Sequence, residues 1–89
     1  MEIEYDPAKA AANLDKHGVS FEEAASALLD PKALVCEDQD AEGEPRWVLV
    51  GMSAEARLVL VVYSLPDEDR IRLISARQAT RREAKDYAR

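Results

Sequence analysis

The chain is short of the residues on which the chemistry of small proteins often rests. Its 89 residues include one cysteine, one histidine, one tryptophan, one phenylalanine and three glycines. A lone cysteine, Cys36, excludes an intramolecular disulfide and any Cys/His zinc spacing. Set in the apolar run Ala33-Leu34-Val35-Cys36, it reads as a small buried hydrophobe. So few glycines leave little room for a phosphate-cradling loop, and no Ser-His-Asp set carries a local signature. No apolar run approaches 18 residues, so no membrane span or membrane partner is expected. The acidic start, Met1 to Asp6, has no signal-peptide pattern, which points to a cytoplasmic protein. No metal site and no cofactor are expected.

What is present is a globular composition, 47% hydrophobic and 34% charged, enough for one domain over residues 1–89. A domain this small buries only about 60–65% of its unfolded surface, so a partner that covers part of it would add stability. Net charge is −6, but it is unevenly spread. Residues 1–44 carry 12 acids and 3 bases, and residues 45–89 carry 6 acids and 9 bases, eight of them arginine. Arginine's planar fork suits phosphate, so the asymmetry points to a polyanion-facing surface. Mutual pairing of the two halves accounts for it equally well.

Local signals give the element order β-α-α-β-β-β-β-α. A short strand, Ile3 to Tyr5, precedes a helix capped by Asp6, with Pro7 in its first turn and Gly18 ending it. Ser20 and Glu23 form a capping box for a second helix with the apolar stripe Phe21, Ala24, Ala25 and Leu28, stopped by Asp30-Pro31. The two helices are expected to form a hairpin. Strands follow at 33–37, 46–51, 57–64 and 70–77, the third apolar on both faces and therefore central. Thr80 and Glu83 cap a last helix whose only apolar stripe is Ala84, Tyr87 and Ala88, which implies shallow docking or a surface completed by a partner. Short connections predict an α+β fold: two N-terminal helices after a short strand, a four-stranded antiparallel sheet with helices on one face, and a C-terminal helix.

Three segments carry a family resemblance. Tyr5-Asp6-Pro7-Ala8-Lys9 with Asn13, and Lys16-His17-Gly18-Val19-Ser20-Phe21-Glu22-Glu23-Ala24, resemble the N-terminal signature of BrnT-type toxins. Arg57 to Tyr63 is similar to that family's central strand, and Arg70 to Arg77, followed by Ala79, Glu83 and Tyr87, to its closing strand and helix. The resemblance implies a RelE-like fold and metal-independent RNA cleavage that inhibits growth. It also implies neutralisation by a BrnA-like ribbon-helix-helix antitoxin in a heterotetramer, with operator DNA bound only through the antitoxin.

Metal-free RNA cleavage needs a base for the 2′-hydroxyl proton, an acid for the leaving 5′-oxygen, and cations for the crowded phosphate. His17 is the one side chain with an ordinary pKa suited to neutral proton transfer, though it shares a helix stripe with Ala10 and Leu14 and could pack there. Lys16 and Lys9 are point charges for phosphate. Glu22 is a general base if buried, and otherwise an acid suited to the first turn of a helix. Glu23 is read as a capping residue. Arg77, then Arg57, are the transition-state clamp candidates, with Arg70, Arg72 and Arg81 beside them as RNA contacts. Tyr63 is a candidate for stacking on a base. The acidity of the chain leaves a second reading open, an inactive module that only binds its antitoxin and serves in operon autoregulation. A DNA-binding regulator is disfavoured, since no basic recognition helix is visible apart from Arg81-Arg82.

Overall fold

The computed structural model describes all 89 residues. Cap chemistry sets the first half. The Asp6 carboxylate accepts from the Ala8 N–H at 2.9 Å and starts α1, Pro7–His17. Gly18 ends it at φ 71°, a left-handed conformation that side chains resist, and donates to the Leu14 carbonyl. Two residues later Ser20 Oγ accepts from Glu23 N at 3.0 Å and starts α2, Phe21–Ala27. Both helices lie on one face of a sheet made of β1 (Glu2–Glu4), β2 (Leu34–Glu37), β3 (Arg46–Met52), β4 (Leu58–Asp67) and β5 (Arg70–Gln78). The closing helix α3 is Arg81–Ala88.

The sheet departs from the sequence expectation. It has five strands, in the order β1-β5-β4-β3-β2, and it is mixed rather than antiparallel. The first strand runs parallel to β5, with Glu2 opposite Arg70 and Glu4 opposite Arg72. Reasoning from short connections pairs only neighbours in sequence. A parallel partner needs a long crossover, and here residues 5–69 supply it. The remaining pairs are antiparallel, and β4 is central as its two-sided apolar pattern implies.

The core lies between the sheet and α1 and α2. Val19, Phe21, Ala24 and Ala27 meet Leu49, Val59, Val61, Tyr63, Leu73 and Ala76. Gly51 lets α2 come close, since a Cβ there would lie 2.9 Å from the Ala27 carbonyl oxygen. Asn13 fixes α1 to β5. It is buried, donates to the carbonyls of Val19 and Ala76 at 2.9 and 2.8 Å, and accepts from Ala76 N–H at 3.1 Å.

A bulge in β5 decides which side chains face the helices. Val62 pairs with Ser75 but Tyr63 with Leu73, so Ile74 is an extra residue. Leu73 and Ala76, three apart, therefore both enter the core. Arg77, opposite Leu60, falls on the other face together with Arg70 and Arg72. That second face carries α3, so the expectation of all helices on one face is also corrected.

Candidate functional site

The last turn of α1 presents Lys16 and His17 to solvent, immediately before the Gly18 cap. His17 does not pack: it is exposed, as is Leu14, and only Ala10 of that stripe reaches the core. Beneath the turn lies Arg57. Its Nε and Nη2 donate to the two oxygens of Glu23, and Nη2 also donates to the Gly18 carbonyl at 2.8 Å. The other terminal nitrogen, Nη1, keeps its donors free, and the side chain is 36% exposed. Three candidates, Lys16, His17 and Arg57, thus share one corner.

Glu23 is the anchor of that corner. Its side chain is buried, and Ser53 Oγ adds a hydrogen bond at 2.8 Å. The Arg57 guanidinium foremost, with help from Ser53, holds its carboxyl down at about 2. The expected capping box is therefore half formed: the Glu23 backbone is capped, but its side chain turns to Arg57 instead of back to Ser20. The β3–β4 hairpin that delivers Ser53 and Arg57 has Ala56 at φ 62°, a left-handed conformation without glycine. Glu55, also in this hairpin, is raised above the ordinary carboxyl range by its hydrogen bond with Glu23.

Glu22 is exposed, so the burial on which its reading as a base depended is absent, and it accepts from the Tyr5 hydroxyl at 3.1 Å. Tyr5 in turn packs edge-on against Phe21, centroids 5.2 Å apart, which ties Glu22 to the same side of the molecule. Lys9 is exposed on α1. Tyr63 is in the core, where burial raises its pKa, and does not offer a ring face to a base.

Three other arginines, Arg70, Arg72 and Arg77, lie on the opposite face and are occupied. Arg70 Nη1 and Arg72 Nε each donate to Glu4 at 2.9 Å, and Arg70 Nε also donates to Asp67 at 2.7 Å. Arg77 makes a two-pronged pair with Glu83 of α3 at 2.9 and 3.0 Å. Arg77 and His17 are therefore not brought together. Arg81 is exposed on α3 without an ion pair. Between α3 and the sheet runs an apolar groove of about 250 Å³, floored by Leu34, Cys36, Val48, Val50 and Leu60. Cys36 is exposed in it, not buried as expected, because β2 is an edge strand with all four residues exposed.

Several residues that build the site gave little signal in the sequence. Asn13 sits at an ordinary helix position, and only its place in the signature marks it. Ser53 and the pair of Tyr87 Oη with Asp30 at 2.6 Å depend on contacts 30 and 57 residues apart. No three His, Cys, Asp or Glu side chains converge in a metal-holding arrangement.

Comparison with known proteins agrees with this architecture. A family profile described as the ribonuclease toxin BrnT of a type II toxin–antitoxin system matches residues 5–83. The crystal structure of the Brucella abortus ribonuclease toxin BrnT is similar in fold, with a TM-score of 0.70 at 23% identity, covering 91% of this chain and 99% of that one. A comparison with curated proteins returned no match. With the profile spanning all but the chain's two ends, the protein belongs to the BrnT family of ribonuclease toxins of type II toxin–antitoxin systems.

Proposed function

We propose that this chain is an endoribonuclease that cleaves RNA without a metal ion at the corner formed by Lys16, His17 and Arg57. The observation that carries this reading is the Arg57 guanidinium. It is fixed by buried Glu23 and the carbonyl after His17, yet keeps Nη1 free beside two exposed cationic or titratable side chains. A donor held in place before substrate arrives needs no reorganisation to meet the charge on a crowded phosphate. His17 moves the proton, Lys16 and Arg57 Nη1 hold the phosphate, and Glu22 with Tyr5 orients the 2′-hydroxyl side. Arg77 acts from the other face by holding α3. The toxin works in the cytoplasm and is neutralised by a BrnA-like ribbon-helix-helix antitoxin in a heterotetramer, which alone touches operator DNA.

The test is cleavage of a largely single-stranded RNA by antitoxin-free protein in EDTA. His17→Ala is expected to lower the rate about 10²–10⁴-fold, the usual worth of a general acid or base, without moving Tm. Intact RNA after prolonged incubation with folded protein would refute the reading. A second reading, an inactive module that only binds its antitoxin, draws on the occupancy of Arg57, Arg70, Arg72 and Arg77 by carboxylates. Induced expression separates the two: growth arrest supports the nuclease, the more so if a co-expressed ribbon-helix-helix antitoxin relieves it, and unaffected growth supports the module.

A further inference from the structure

Of the eight Lys and Arg side chains that make no ion pair, four lie together on one helix. Arg81, Arg82, Lys85 and Arg89 all lie on the outer side of α3 or at its end, exposed, and none takes part in an ion pair. The inward side of the helix is occupied instead by Glu83, Ala84 and Tyr87, which are partly buried. Arg81, Lys85 and Arg89 are four residues apart, so they form one stripe, about 12 Å from end to end at the helical rise. The four contribute +4 to a chain of net −6, so the rest of the molecule carries −10.

The position of the helix gives this stripe a direction. Tyr87 holds the end of α3 to Asp30, and the same Asp30 oxygen accepts from Met52 N–H at 2.8 Å. Met52 leads directly into the hairpin that delivers Ser53 and Arg57. The stripe and the Lys16–His17–Arg57 corner therefore flank the same end of the sheet. We infer that the outer face of α3 is a phosphate rail that binds the backbone of single-stranded RNA and leads it round this end to the corner. The inference rests on the ribonuclease reading. Three of the four cations are arginine, whose fork meets phosphate oxygens in pairs. Strong negative charge elsewhere would repel RNA from other approaches and confine it to this path.

The experiment measures binding of a fluorescent 2′-O-methyl oligoribonucleotide, which lacks the attacking hydroxyl, by anisotropy over a range of salt. Cleavage of the unmodified RNA is assayed in parallel. The wild type is compared with R81Q/R82Q/K85Q/R89Q, with folding checked by circular dichroism and melting. Each lost phosphate contact should flatten the slope of log K against log salt by about 0.7, so the four together by close to ~3. The pair R81Q/K85Q, expected to flatten it by about 1.4, serves if the quadruple variant does not fold. A wild type that cleaves RNA while a folded variant keeps its slope overturns the rail alone. A wild type that neither binds nor cleaves overturns the rail together with the nuclease reading. A variant that keeps RNA binding but loses the antitoxin also overturns it, in favour of an acidic protein surface.

Discussion

On one face of the sheet, α1, α2 and the turn between them bury Val19, Phe21, Ala24 and Ala27 against three strands, and Asn13 and Glu23 add buried polar contacts. On the other face, α3 has no fully buried residue and is held by Arg77 with Glu83 at its start and Tyr87 with Asp30 near its end. Dry packing is insensitive to salt and resists local opening. Half-exposed ion pairs contribute little and weaken with salt. The first face is therefore the scaffold that fixes the Lys16–His17 corner, and the second carries an element that can loosen without unfolding the rest.

The comparison breaks most readily at Phe21. Phe21→Ala should cost about 3–5 kcal/mol, enough to unfold much of a marginally stable domain, as a urea melt would read. Asn13→Ala should cost about 2–3 kcal/mol, because the Ala76 N–H and two carbonyls lose a buried partner. If it melts like wild type, the polar clamp is not part of the scaffold.

Acid should act on both faces. Glu23, Glu83 and Asp30 all have folded pKa values below their ordinary ones: Arg57 lowers Glu23, Arg77 lowers Glu83, and the Tyr87 hydroxyl lowers Asp30. A depressed carboxylate stabilises fully above its unfolded pKa and loses that contribution as pH falls through its folded one. Stability should thus hold above about pH 5 and decline toward pH 2, with Glu23, at about 2, the last to yield. Glu23→Gln should flatten a plot of Tm against pH in that window, and an unchanged profile would show that its pair contributes nothing.

Arg77→Ala should change global stability by less than about 1 kcal/mol, yet speed amide exchange selectively in residues 81–88. Uniform exchange would mean that α3 belongs to the scaffold. The smallest expected effect is a gain. Ala56→Gly relieves a left-handed alanine at about 1–2 kcal/mol but loosens the unfolded chain by about 0.5–1, for a net rise of roughly half a kcal/mol.

Helix boundaries and the central strand were legible in the sequence because they depend on local chemistry. Asp6, Gly18, Ser20 and Thr80 each do in the structure what their position implies. The parallel placement of β1, the exposure of Cys36 and the separation of Arg77 from His17 were not, because each depends on contacts between distant segments or on one irregular residue. Likewise, the charge asymmetry between halves is partly explained by ion pairs across them, Arg57 with Glu23 and Arg70 and Arg72 with Glu4. It is partly left over on α3. The resemblance named the residues of the corner; it did not reveal that Arg57 is held there by Glu23.

The extra residue in β5 also fixes which register the fold tolerates. Were Ile74 paired regularly, opposite Val62, the end of the strand would slip by one residue and turn over. Ala76 would leave its place under Asn13, and Ser75 and the Arg77 guanidinium would be driven toward Val61 and Val59, where nothing could pair with the charge. The same slip would free Glu83 and let go of the start of α3. A slip of one residue, with no change in sequence, would undo both faces of the molecule at once.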